Sequence, residues 1–355
     1  VTLDIEQFTV VRAEKSGVMV EAFAPKFNKY LQLDLRPDLL LGKYYLLKKT
    51  VDGWAWANGC DFNALKENLL PALYFTSDDQ ARKWHENIDL VDYLLVVDNK
   101  SLTHRPDMWG HRGFAREIAA LLDLELLPEA QFLTPVPVKV CQNNFVAQAP
   151  DLISSSIISA NCKRLATLHI KQITNLPSQL WMAIRLLRVD MRGINHLVDL
   201  TNYVMLDLGQ PMHVFDAKLI AKNQLIARQA MSGETLELLS GEVLELSEQD
   251  LVIADGKQPL SLAGIKGGAL SGTTDRTTEI LLESANFEVA CVRRSATRYK
   301  LRTEASTRFE KTLDPNQNIA AIERFIKLQQ AVEPDLVIEN HIISLGEMAP
   351  AKAID

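Results

Sequence analysis

The sequence predicts an α+β fold, with mixed sheets and packed helices in a larger C-terminal part and a smaller α+β N-terminal region before it. Short β-rich pieces and amphipathic helical stretches are interspersed along the chain. No internal repeat or low-complexity tract imposes another architecture. The chain divides into residues 1–130, a linker or edge segment at 131–150, and a second domain at 151–345.

In the first region KYYLLKKTVDGWAWANG (43–59) is rich in β-formers. A helix is expected from Gly110 to Leu122, with Phe114, Ile118, Leu121 and Leu122 on one face. The proline-bearing LTPVPVKV (133–140) reads as a linker or an edge strand, since proline cannot donate to a ladder. Beyond it, strands are expected at 164–173, 223–230, 250–255 and 278–284. Helices are expected near 178–189, 194–208, 286–299 and 316–332.

The stretch from Arg192 to Asp216 is the most informative. Ile194, Leu197, Val198, Met205 and Leu208 recur at helical spacing, and Thr201 falls on the same stripe, a hydroxyl where a methyl would pack better. Gly209 stands where a left-handed residue ends a helix cheaply, and Pro211 prevents its resumption. His213 follows at once. Taken alone, His213 is equally a histidine satisfied by backbone carbonyls, and Thr201 a hydroxyl bonded to the carbonyl four residues earlier.

At 355 residues the chain has room for two or three domains, and its 47% hydrophobic content suits a soluble globular protein. No run approaches the roughly 18 apolar residues of a membrane span. Cys60, Cys141, Cys162 and Cys291 lie far apart without CxxC spacing, which speaks against a zinc ribbon and a disulfide framework and fits a reducing cytoplasm. VTLDIEQFTV lacks the basic and apolar segments of a secretory signal.

Common catalytic signatures are missing. Gly264, Gly267, Gly268 and Gly272 are not followed by the lysine and hydroxyl residue of a P-loop. There is no HExxH and no GxSxG, and His104 and His111, if helical, would lie about 10 Å apart along the axis, so no metal site is expected. A net charge of -7 excludes a protein that coats nucleic acid indiscriminately. Between Arg293 and Lys311, however, seven basic residues (Arg293, Arg294, Arg298, Lys300, Arg302, Arg308, Lys311) face two acidic ones, Glu304 and Glu310. Such a run is either a solvated face with internal ion pairs or a phosphate-binding surface. Glu283 follows Ile280, Leu281 and Leu282 in an expected strand, where a buried carboxylate is costly unless it leans outward at the strand end.

Four stretches in order, 192–216, LAGIKGGALSG (262–272), ILLESANF (280–287) and LRTEASTRFEKTLDP (301–315), resemble the beta subunit of bacterial phenylalanyl-tRNA synthetases. The resemblance runs from about Arg164 to Pro315. THRPDMWGHRGFAREIAALL (103–122) is similar to the family's lead-in to this region, although other bacterial members usually begin it differently.

The resemblance implies that 151–345 is the tRNA-binding and editing domain, which hydrolyses mischarged tyrosyl-tRNA(Phe). It implies that Glu283 recognises the tyrosine hydroxyl, and that Arg192, Thr201, Asn202 and His213 surround the amino-acid and ester end. Gly267 and Gly268 would then allow close backbone approach, and Thr303 and Ala305 would shape the remaining wall. Arg293, Arg294, Arg298, Lys300 and Arg302 would contact tRNA phosphates.

The implied partners are tRNA(Phe) and the alpha subunit of a cytoplasmic heterotetramer. The implied chemistry needs no cofactor in this chain, since ATP and magnesium serve the alpha subunit's synthetic site. The family's OB-type domain, its later domains and its anticodon-reading domain are not recognised, and the start at Val1 and end at Asp355 read as a piece excised from a longer chain. A non-catalytic tRNA-binding or assembly module and a free-standing editing hydrolase are the alternatives. The implied purpose is physical: an apolar synthetic pocket discriminates poorly against an isostere that merely adds a hydroxyl, so a second site must remove tyrosine.

Overall fold

A computed structural model describes residues 2–338 and 341–346. It is α+β, and its packing separates two units, Val1–Asp98 with Asn175–Leu200, and Asn99–Thr174 with Thr201 onward. The sequence places boundaries near 130 and 150, whereas packing groups residues 175–200 with the first unit. The physical reason is a helix whose apolar stripe belongs to that unit's core, described next.

In the first unit, strands β1 (Phe8–Ser16), β2 (Val20–Ala24), β3 (Lys29–Leu33), β4 (Tyr44–Thr50) and β5 (Gly53–Trp56) form one antiparallel sheet in the order β3-β2-β1-β4-β5. Alternation along β1 and β4 serves two cores. Phe8, Val10, Tyr44 and Leu46 enter one, while Val11, Ala13, Tyr45 and Leu47 enter the other. A short helix α1 (Asp78–Arg82) precedes Trp84, which is buried in the first core. Leu180, Ala183, Ile184 and Leu187, one stripe of a later helix spanning Leu180–Arg188, close that same core.

The second unit begins with helices α2 (His111–Leu122) and α3 (Glu129–Phe132); the Leu180–Arg188 helix is α4, and α5 (His196–Leu208) runs across the division at residue 200. Strands β6 (Val138–Cys141), β7 (Asn144–Phe145), β8 (Ser154–Ile157) and β9 (Cys162–Lys171) come before α4. After α5 follow β10 (His213–Asp216), β11 (Gln224–Gln229), β12 (Thr235–Glu237), β13 (Val243–Glu245), β14 (Leu251–Ala254), β15 (Pro259–Leu262), β16 (Lys266–Gly267) and β17 (Glu279–Phe287). Helices α6 (Val289–Arg298), α7 (Glu304–Phe309) and α8 (Gln317–Gln330) and strand β18 (Ile342–Leu345) complete it.

These strands make two larger mixed sheets, β10-β17-β9-β18-β6 and β16-β15-β14-β11-β8-β7, and a β12-β13 ribbon. β6 lies at a sheet edge, pairing in parallel with β18, and Pro135 and Pro137 precede the strand instead of interrupting its ladder. One core joins the two sheets: Leu165, Phe215, Leu281 and Ala285 come from the first and Ala227, Val252, Leu260 and Leu262 from the second. α8 packs against β17 and β9. The periodicity that predicts α2 holds, but Ile118, Leu121 and Leu122 are exposed rather than buried.

The end of α5 is fixed from several directions. Gly209 adopts φ +85 and donates to Met205 O at 2.8 Å. The Leu208 carbonyl accepts from Gln317 Nε2, and Asp207 pairs with Arg324 at 2.8 Å. Gly110 packs against the same stop so closely that a Cβ there would lie 2.3 Å from Gly209 N. Its backbone, at φ -143 and ψ 153, is open to any residue, so the restriction is purely one of space. Gly110→Ala is therefore expected to destabilise the second unit by about 1–3 kcal/mol through forced separation of these backbones. Gly17→Ala, with nothing within 4 Å of the added methyl, should leave the thermal midpoint unchanged. Thermal unfolding of the two variants checks the pair.

Candidate active site between the two sheets

β10 begins four residues after the α5 stop and pairs antiparallel with β17 in the register His213↔Glu283, Val214↔Leu282, Phe215↔Leu281. Directly opposed residues share a face, so His213 and Glu283 both point to the core face that carries Phe215, Leu281 and Ala285. There they line a cavity of about 80 Å³ together with Pro211, Met212, Ser261, Leu262, Gly264, Ile265, Lys266, Gly267, Phe287, Ala305 and Phe309.

The opposite wall is backbone-rich for steric reasons. A Cβ at Gly267 would lie 2.5 Å from His213 Cε1 and 3.1 Å from its Nε2. The imidazole therefore lies against the Gly267 backbone. Gly264, at φ +71, meets the rings of Phe309 and Phe287, whose centroids stand 4.9 Å apart. Gly268 does not line the cavity; a Cβ there would meet Leu260 O at 2.6 Å and Leu236 Cδ1 at 2.7 Å, so its smallness serves packing behind the wall.

Thr303 is the N-cap of α7 and is fully committed to the fold. Its hydroxyl accepts from Ser306 N at 3.0 Å and donates to Ile265 O at 3.1 Å, tying the glycine loop to the helix that carries Ala305 and Phe309.

Glu283 is 6% exposed, and burial alone pushes its carboxyl up to about 8. Burial likewise lowers His213 to about 4, and its Nε2 is shielded without a hydrogen-bond partner even though the residue keeps some exposure. Both side chains are thus neutral near pH 7.

The sequence-assigned residues separate into three groups. His213, Gly267, Glu283 and Ala305 come together in the cavity wall, with Thr303 and Gly268 just behind it. Thr201 is buried and Asn202 half-buried on α5, and neither lines the cavity. Arg192 lies in the first unit, largely exposed, with its guanidinium 3.8 Å from Asp38.

In the basic run, Arg298 is held by Asp250 and by Gln249 at 3.0 Å, and Arg293 lies 3.4 Å from Glu310. Arg294, Lys300 and Arg302 are exposed and show no ion pair among the described residues. Phe287, Phe309, Ser261 and Lys266 also line the cavity; the phenylalanines and the lysine lie inside the stretches that carry the resemblance, yet no local pattern distinguishes them from core or surface residues. No group of three His, Cys, Asp or Glu among the described residues has the arrangement of a metal site, and no described helix is long and apolar enough to cross a membrane.

Residues 161–333, which contain both strands and all walls of the cavity, match the B3/4 domain family. The phenylalanine–tRNA ligase beta subunit of Solibacter usitatus is 40% identical over 261 residues, covering 73% of this chain and 32% of that protein. The subunit of the same name from Oceanobacillus iheyensis is 37% identical over 266 residues, covering 73% and 31%. A crystal structure of an N-terminal fragment of the phenylalanyl-tRNA synthetase beta-subunit from Pyrococcus horikoshii is 17% identical over 59% of this chain and 60% of that one, with a TM-score of 0.29, too slight a likeness to define the fold. Residues 161–333 thus carry a B3/4 domain. The chain belongs to the family of phenylalanine–tRNA ligase beta subunits and spans about a third of the length of the relatives it matches.

The buried carboxyl fixes a pH signature. Its folded value of about 8 lies above the 4.5 of a free glutamate, so between these values the folded state holds more protons than the unfolded, and stability is lost as pH rises. Glu283→Gln should thus gain on the parent by up to about 1.4 kcal/mol for each pH unit above roughly 5, levelling off above about 8. Chemical denaturation across pH 5–9 measures it; a gap that does not widen with pH would show that Glu283 is ionised in the folded protein.

Proposed function

We propose that the cavity hydrolyses the ester linking tyrosine to the terminal ribose of tRNA(Phe), so that the chain edits misacylated tRNA for a phenylalanine–tRNA ligase. The observation that carries this is the isolated carboxyl of Glu283 among Phe287, Phe309, Leu262 and Ile265. An aromatic side chain entering this cavity meets these apolar residues and the buried Glu283 carboxyl, a pairing suited to separating a phenol from a phenyl ring. Selection is then inverted relative to a synthetic pocket for phenylalanine.

Burial alters how that selection works. At pH 7 Glu283 is a neutral acid, so a bound phenylalanine leaves a desolvated carboxyl group unpaired at a cost of about 1–3 kcal/mol, rather than a stranded charge. Above about pH 8 the carboxylate accepts a stronger, charge-assisted bond from the phenol. A water molecule is the nucleophile, oriented by polar groups and a ribose hydroxyl. His213, kept neutral by burial, is the group suited to accept its proton or to orient it, once the ring is freed from Gly267.

Arg294, Lys300 and Arg302 are the exposed cations available to tRNA phosphates. Arg293 and Arg298 would contribute while remaining tied to Glu310 and Asp250. Activation of phenylalanine with ATP and magnesium is assigned to an alpha subunit, and the assembly to the cytoplasm.

Hydrolysis of tyrosyl-tRNA(Phe) and phenylalanyl-tRNA(Phe) by the chain tests the reading. The preference for tyrosine should rise between pH 7 and 9 after subtraction of spontaneous hydrolysis. In Glu283→Ala it should fall at pH 7 by on the order of 0.5–1.5 kcal/mol, the worth of a neutral hydrogen bond. Equal loss on both esters with a lowered thermal midpoint would make Glu283 structural instead. A chelator should leave the rate unchanged, because protein and ribose groups hold the water; loss restored by added zinc would overturn that mechanism.

A further inference from the structure

We propose that Lys266 binds the phosphodiester leading to the terminal nucleotide of the acylated RNA and so positions the ester over the cavity. This rests on the editing reading and adds to it a contact for the nucleic-acid part of the substrate.

Lys266 is the one lysine or arginine in the cavity wall among the described residues. Its side chain is partly exposed, and no hydrogen bond or ion pair among the described residues holds its ammonium. The backbone beneath it is nevertheless fixed. Lys266 pairs with Leu262 across β15 and β16, and the carbonyl of the preceding Ile265 is tied to Thr303. A flexible stem on an anchored base is suited to reach one anion at a set place.

That place is the mouth rather than the floor. Lys266 is partly exposed, whereas Glu283 is only 6% exposed, so the lysine stands at the open side of the cavity and the carboxyl at its buried side. If the amino-acid side chain occupies the floor, the ester, the ribose and the nucleotide occupy the mouth. The only formal negative charge there belongs to the phosphodiester chain. The α-ammonium of the amino acid is also at the mouth, and it repels Lys266 toward the phosphate side.

The test compares Lys266→Gln and Lys266→Arg in the full chain on two esters, tyrosyl-tRNA(Phe) and 2′(3′)-O-tyrosyl-adenosine, which keeps the ester and ribose but has no phosphate. On the tRNA ester Lys266→Gln should raise KM about threefold to tenfold with kcat nearly unchanged. It should also reduce the magnitude of the slope of log kcat/KM against log salt by about 0.7, the loss of one single-strand phosphate contact. Lys266→Arg should restore both, and tyrosyl-adenosine should be cleaved alike by all three proteins. Equal loss on both esters, or an unchanged salt slope, overturns the assignment while leaving the editing reading intact. Failure of the unsubstituted chain to cleave either ester overturns both.

Discussion

The arrangement depends on one pairing, β10 against β17. β17 is buried along nearly its whole length, with Leu281 and Ala285 in the core shared by the two sheets and α8 packed against the strand. An acidic residue in such a strand must face one apolar layer or the other, and register decides which. The Phe215↔Leu281 match directs His213 and Glu283 toward the second sheet; a slip of one residue would reverse the face of β10 relative to β17. The α5 stop has a structural purpose in this light. Gly209, held by Met205 and crowded by Gly110, determines where β10 starts, and with it the register.

Several buried ionic groups elsewhere in the second unit are paired. Arg228 pairs with Glu234 at 2.6 Å, Asp207 with Arg324 at 2.8 Å, and Asp250 with Arg298 and Ser295. Glu283 is equally buried without a comparable partner, and its proton affinity rises accordingly. Packing gains nothing from a glutamate here that leucine would not provide better. The cost is concentrated at one residue and adjoins a cavity, the pattern expected where a polar group awaits one from outside. His213 is displaced in the opposite sense, so the cavity wall carries two groups that burial keeps neutral.

Much of the second unit was legible because its elements announce themselves locally. The expected helix at 194–208 is His196–Leu208, and the strands expected at 164–173 and 278–284 are Cys162–Lys171 and Glu279–Phe287. Short strands such as β12, β13 and β16 carry two or three residues each, too few for a period to register. The exposed apolar face of α2 marks another limit, since periodicity reveals that a helix is amphipathic and not whether anything covers it. The place of α4 was hidden for a related reason: its stripe specifies burial, whereas the partner core lies more than a hundred residues earlier in the chain.

The candidate site was legible only where function and packing disagree. Glu283 conflicts with its neighbours in sequence, and His213 follows a helix stop, so both are visible as anomalies. Phe287 and Phe309 satisfy packing rules completely and give no such signal, although they line the cavity beside Glu283. The glycines need the partner as well as the sequence. Gly267 faces His213 and Gly268 faces Leu236 and the Leu260 carbonyl, so adjacent and identical residues have unrelated reasons to lack a side chain. The basic run shows the same ambiguity in charge. Its seven cations look continuous in sequence, but Arg298, Arg293 and Arg308 are engaged by Asp250, Glu310 and Glu304, and what remains free is set by acidic residues partly outside the run. Charge density is a property of the sequence, whereas available charge is what the fold leaves after its own pairings, and only the latter can meet a phosphate.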